Sequence, residues 1–145
     1  VESPDGYLVT NPSHSPENAF LIPGTKTREN SALTYAATVD IDAMFRDTDV
    51  RGDGVETIIH EYTLLATVER STGLILESHA TPRVLPWQEC PGAVGSAGRV
   101  AGMTLSELHF RVRRELSGTS SCTHLNDLLR SVADAEALIA LLPAG

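Results

Sequence analysis

Three consecutive strand-like stretches constrain the fold of this chain more than any other feature. In the first, LTYAATVDIDAMF at 33–45, every second residue from Tyr35 to Phe45 is apolar. A period of two is typical of a strand with one buried face. The β-rich stretches 57–70 and 74–85 follow, joined by the turn sequence STG. We therefore predict a three-stranded antiparallel meander, with the turn-rich sequence DTDVRGDGVE at 47–56 joining its first two strands.

The pattern changes to helical spacing after Pro86. Thr104 and Glu107 form the sequence of a capping box, and Gly118 is a helix-ending residue. Another helix is expected to be capped by Ser120 or Ser121 and to run towards Pro143, and a weaker one is expected around 91–101. Strands followed by helices predict an α+β domain, with two or three helices packed on one face of the sheet.

Length and charge limit the domain organisation and the function classes. The chain has 145 residues, which fits one domain. Residues 1–32 are rich in Pro, Ser, Asn and Gly, so we expect an extended N-terminal arm, with the single domain over 33–145. A net charge of −8 disfavours binding to nucleic acid or to an anionic membrane surface. Apolar runs are shorter than the ~20 residues of a membrane span. We expect a cytoplasmic protein with no leader sequence and reduced thiols, and self-association into a homo-oligomer stays open.

The segment SCTHLNDLLR at 121–130 places a cysteine and a histidine where a polar run becomes an amphipathic helix. Backbone N–H groups and the helix dipole favour an anion at such a position, so Cys122 can react as a thiolate. His124 is close enough in sequence to shape the same site. The alternative is that Cys122 only packs beneath the helix, as free cysteines commonly do in cores.

Three further residues are candidates for chemistry. Cys90 lies in PWQECPG, where a strand-to-helix turn would display its side chain. His60 and Glu61 interrupt the apolar strand TIIHEYTLL. Neighbours on a strand face opposite ways, so at most one of this pair can join a given site. The alternative for Cys90 is an inert buried thiol, and for His60 a satisfied core histidine.

Four segments in order resemble a bacterial family of unknown function. They are PGT at 23–25, IHE at 59–61, PWQECPG at 86–92 and SCTHL at 121–125. The resemblance spans about residues 23–130, and Glu61 and Ser121 replace the aspartate and glycine of the family pattern. The resemblance does not imply any activity for this chain. It implies that His60, Glu61, Cys90, Cys122 and His124 belong to one set.

The order of elements over 33–142 is also similar to the fold of NifU-type iron–sulfur scaffold proteins. Those proteins have a three-stranded antiparallel sheet followed by helices. One of their cysteines follows the last strand, and another begins a late helix near a histidine. Cys90 and Cys122 match these two places, whereas the third scaffold cysteine has no counterpart here. The likeness implies that the two thiols lie near each other at one end of the sheet.

These readings predict a small enzyme without a cofactor that acts on a small organic substrate, a carbonyl or acyl compound of a catabolic pathway. Cys122, His124, Cys90, His60 and Glu61 are its candidate catalytic residues, and isomerase, lyase and hydrolase chemistry all stay open. One alternative is a zinc module with Cys90, Cys122 and His124 as ligands. Another is a non-catalytic accessory subunit whose helices dock a partner protein.

Overall fold

The structure, a computed structural model, describes residues 38–86 and 91–142, and the backbone alone of three short segments: Leu8–Val9, Glu17–Ile22 and Cys90. In this part of the chain five strands form one antiparallel sheet in sequence order. The strands are β1 (Leu8–Val9), β2 (Glu17–Ile22), β3 (Thr38–Val50), β4 (Glu56–Glu69) and β5 (Ile75–Val84).

The predicted alternation decides which face of the sheet is buried. In β3 the side chains from Val39 to Phe45 alternate between buried and half-buried. In β4 the same alternation runs from His60 to Val68. Antiparallel pairing sets Phe45 opposite Tyr62, so the two buried rows face the same side. His60 therefore begins a row of core side chains and is itself 8% exposed.

The helices cover this buried face. The helical segments are the 3₁₀ helices Cys90–Val100, Leu105–Glu107 and Val132–Asp134 and the α-helices α1 (Leu108–Glu115), α2 (Thr123–Ser131) and α3 (Ala135–Ile139). Their buried leucines join the strand residues in one hydrophobic core. The Thr104 amide donates to the Glu107 carboxylate at 2.9 Å, as the capping-box sequence predicts. Gly118 has the left-handed backbone (φ 84°) that suits a residue after a helix.

The α+β class and the strand-then-helix order are confirmed, and several boundaries differ. β3 extends to Val50, so the predicted connection 47–56 shortens to a tight turn around Gly54, whose φ is 83°. Two short strands from the predicted arm widen the three-stranded meander to five strands, and the rest of 1–32 lies outside the described residues. Cys122, not Ser120 or Ser121, is the N-cap of α2. None of the described helices has the length and apolar character to cross a membrane.

Candidate functional site

Asp47 and His60 meet because they are direct partners on adjacent strands. The β3–β4 register pairs Asp47 with His60, and the next pair is Thr48 with Ile58, which leaves Ile59 as an extra residue. This bulge lies beside the pair, and bulges commonly redirect side chains near functional sites. His60 Nδ1 lies 3.2 Å from Asp47 Oδ2. A half-exposed carboxylate and a nearly buried imidazole thus form a polar pair at the end of the buried face.

The start of α2 brings Cys122 and His124 to the same place. Cys122 is the N-cap residue, with extended backbone (φ −124°, ψ 131°) and no side-chain hydrogen bond to the helix. The buried Leu125 and Leu128 hold the first turns of α2 in the core. His124 precedes Leu125, and its Nε2 lies 3.6 Å from Asp47 Oδ2. One carboxylate oxygen therefore faces imidazole nitrogens from a strand and from a helix.

The two imidazoles are stacked. The ring centroids of His60 and His124 are 3.7 Å apart and their planes are inclined by 23°. Phe45, the last buried residue before Asp47 on that face of β3, lies at 5.7 Å from the His124 ring in a tilted orientation. We refer to Asp47, His60 and His124 as the histidine cluster. The side chain of His60 is 10% exposed and that of Asp47 is 38% exposed. The cluster is therefore buried on the side of His60 and accessible to solvent on the side of Asp47.

The thiol of Cys122 lies on the other edge of the His124 ring. Its Sγ is 3.9 Å from His124 Nδ1. The Tyr62 hydroxyl donates to the same sulfur at 3.5 Å, from a fully buried side chain on β4. Cys122 is a free cysteine and partly exposed. The sulfur thus contacts one fixed hydroxyl donor and one imidazole, and that imidazole faces a carboxylate with its second nitrogen.

Burial and the neighbouring histidine lower the pKa of His124 below its ordinary value of 6.5. Removal from water disfavours the imidazolium, and a positive charge on His60 would repel it. The carboxylates of Asp47 and Asp127 act in the opposite direction and do not fully offset these effects. The His124 ring is therefore mainly neutral near neutral pH, and a neutral imidazole can accept a proton or ligate a metal ion.

The histidine cluster has the composition and spacing of a metal-binding group. One ligand atom from each of Asp47, His60 and His124 can be chosen so that all three lie within 4.8 Å of one another. Only His124 is shared with the zinc ligands expected from the sequence. Cys122 is not part of this group. Cys90 begins its 3₁₀ helix, and its side chain lies outside the described residues. The predicted proximity of Cys90 and Cys122 therefore stays a prediction.

The structure brings together His60, Cys122 and His124 of the sequence candidates and separates Glu61 from them. Glu61 points to the opposite face of the sheet, where the Arg46 guanidinium donates to its carboxylate at 2.6 Å. Sequence reasoning missed Asp47 because it assigned DTDV to a turn. The signal that could have found it is the period of two, which continues past Phe45 to Asp47.

No curated protein and no solved structure matched this chain. A family model described as "Protein of unknown function (DUF2889)" matches residues 25–138, which include every member of the site just described. This match covers most of the chain and supports the expected membership of a family of unknown function. The chain therefore belongs to the DUF2889 family of proteins of unknown function.

Proposed function

We propose that this protein is a small cytoplasmic enzyme that acts on a small carbonyl or acyl compound with Cys122 as its nucleophile. One observation carries the proposal: Cys122 Sγ faces His124 Nδ1 at 3.9 Å, while His124 Nε2 faces Asp47 at 3.6 Å. A nucleophile, a base and a group that orients the base, in that order, form the recurring arrangement of covalent catalysis. Contacts somewhat longer than ordinary hydrogen bonds are common before substrate binds.

The chemistry of each side chain follows from its contacts. The thiol proton passes from Cys122 Sγ to His124 Nδ1, and the Asp47 carboxylate stabilises the imidazolium through Nε2–H. The thiolate then attacks the carbonyl carbon, an S–C bond forms, and the π electrons of the C=O bond move to oxygen. With an acyl substrate the C=O bond re-forms, the bond from carbon to the leaving group breaks, and the leaving group takes the proton from His124. Water then adds to the thioester carbon and gives its proton to His124, and the C–S bond breaks to release the acid and the thiolate. The Tyr62 hydroxyl donates to the sulfur at 3.5 Å and stabilises its negative charge.

Accessibility supports a catalytic rather than a packing role for these groups. The side chains of His124 and Asp47 are 34% and 38% exposed, whereas the core positions beside them are almost fully buried. Cys122 is only partly buried, at the edge of the core, so we expect a substrate to approach it and the His124 ring from solvent. His60 and Phe45 support the His124 ring from inside, so the ring keeps its orientation while the thiol reacts.

The first experiment is acyl transfer to the thiol from p-nitrophenyl acetate, a general acyl donor. We expect a burst of nitrophenolate with an acetyl group on Cys122, located by peptide mass spectrometry. His124→Ala should slow the burst, and His109→Ala, which removes an exposed histidine on α1, should leave it unchanged. Cys90 is the internal reference thiol. Equal acetylation of both cysteines, at the rate seen in denatured protein, would contradict the proposal.

The likeness to NifU-type scaffold proteins predicts a site in which Cys90 and Cys122 lie side by side. It requires Cys90 beside Cys122, and the Cys90 side chain lies outside the described residues. The proximity of the two thiols therefore stays a prediction of that likeness. We do not predict iron–sulfur assembly, because the third scaffold cysteine has no counterpart here. An accessory role in which the helices dock a partner predicts no reaction at Cys122, so the acylation experiment tests that alternative as well.

A further inference from the structure

We infer that Asp47, His60 and His124 form a binding site for one divalent zinc-type metal ion. This site uses different ligands from the Cys90, Cys122 and His124 set expected from the sequence. It goes beyond the proposed thiol chemistry and does not depend on it. The inference rests on the spacing of the ligand atoms, on their chemical type, and on the contact of His124 Nδ1, the ring nitrogen that would face away from the metal, with Cys122.

The ligand spacing is already close to that of an occupied site. Two ligand atoms about 2.1 Å from a tetrahedral zinc ion lie about 3.4 Å apart. His60 Nδ1 and His124 Nε2 are 3.2 Å and 3.6 Å from the same Asp47 oxygen. The three ligand atoms lie within 4.8 Å of one another. The stacked rings of His60 and His124 would tilt apart on binding, so that both nitrogen lone pairs point at one ion.

The ligand types select the class of metal. Two imidazoles and one carboxylate suit zinc and its neighbours among the divalent transition metals, whereas magnesium and calcium prefer oxygen ligands alone. Three protein ligands leave a fourth position open, as in catalytic zinc sites. The open position would point to the exposed side of the cluster, because the buried Phe45 and Tyr62 lie on the core side.

The contact at His124 Nδ1 supports the role of this residue as a metal ligand through Nε2. A metal-bound histidine usually has its second ring nitrogen fixed by a hydrogen-bond acceptor, which selects the tautomer. Cys122 Sγ lies 3.9 Å from His124 Nδ1 and can accept its N–H. The Nε2 lone pair then faces Asp47 and the ion. With metal at Nε2, the neutral ring carries its single proton at Nδ1, which faces the sulfur. Without metal, the proton can lie on Nε2 beside Asp47, and Nδ1 is then able to accept the thiol proton.

The test is titration of the full chain, without an affinity tag and first stripped with a chelator, with Co²⁺ and Zn²⁺. We expect one equivalent of Co²⁺ to give the visible absorption of a tetrahedral site, and Zn²⁺ to displace it. Asp47→Asn should weaken Zn²⁺ binding more than about 100-fold. Even the mutation of a residue that only hydrogen-bonds to a metal ligand lowers the metal affinity about 10–100-fold. The matched control is Asp49→Asn, an exposed residue of the same strand.

Two further variants decide the ligand set. Cys122→Ser should retain the Co²⁺ spectrum and the Zn²⁺ stoichiometry, whereas a cysteine-ligated site would lose both. His60→Gln, which keeps a polar side chain at the buried position, should lose tight binding while remaining folded by circular dichroism. Absence of a Co²⁺ band in the wild-type chain, or unchanged affinity in Asp47→Asn, would overturn the inference. Acylation of Cys122 measured in chelator reports on the proposed function separately, so either idea can fail alone.

Discussion

The imidazole rings of His60 and His124 stack at 3.7 Å between centroids, although one belongs to a strand and the other to a helix far along the chain. Both rings face a single carboxylate oxygen of Asp47. Two imidazolium ions at this distance would repel each other, so the stack favours a state in which at least one ring is neutral. The shared carboxylate reduces that repulsion.

The pKa of His124 should respond in opposite directions to changes in its two neighbours. Burial and the His60 charge lower it below 6.5, and Asp47 raises it. His60→Gln should therefore raise the pKa of His124, and Asp47→Asn should lower it further. Titration of the ring carbon and proton shifts by NMR, in the presence of a chelator, measures both changes. A shift of the same sign in both variants would contradict the electrostatic account.

Folding stability should fall as the pH drops below 6.5 because of His124. Its pKa is lowered in the folded protein, so the unfolded chain binds the proton more readily at slightly acidic pH. The stabilisation from a neutral His124 is fully present above the ordinary pKa of 6.5 and is lost as the pH falls through the lowered value. His124→Gln should weaken this dependence in urea denaturation at a series of pH values, whereas His109→Gln should not.

Tyr62→Phe should slow thiol chemistry at Cys122 without unfolding the protein. The substitution removes the hydroxyl that donates to Sγ at 3.5 Å and keeps the ring that fills the core. We expect the iodoacetamide labelling rate of Cys122 to fall several-fold, with a loss of about 1 kcal/mol in the free energy of unfolding, the usual value of one hydrogen bond. Leu64→Val, at the next buried position of β4, is the control for altered core packing on the same strand. An unchanged rate in Tyr62→Phe would show that the hydroxyl does not stabilise the reacting thiolate.

Glu61→Gln should leave both the thiol and the metal site intact. The carboxylate pairs with Arg46 on the face of the sheet opposite the histidine cluster. The partly exposed ion pair contributes at most about 1 kcal/mol to the free energy of unfolding. Labelling of Cys122 and titration with Co²⁺ should match the wild-type chain. Loss of either property would place Glu61 in the functional set that the family resemblance implies.

Local sequence patterns were sufficient to predict those structural elements that are determined by residues close together in the sequence. The alternation from Val39 to Phe45 identifies a buried strand face because side chains alternate wherever one face is covered. Thr104 and Glu107 identify a helix start because their hydrogen bond closes within one turn. The end of β3 was mistaken for a turn, since Asp47 and Asp49 are turn-forming residues that here lie within a long hairpin.

The sequence by itself determined that a cysteine and a histidine would lie at the start of α2 and a histidine on the buried face of β4. Only the tertiary structure decided which of them meet. The pairing of Asp47 with His60 depends on strand register and on the bulge at Ile59, and these are set by the core rather than by either residue. The approach of His124 depends on how the buried leucines of α2 pack on the sheet. Contacts between distant segments arise from the packing of the whole core, and local patterns do not encode them.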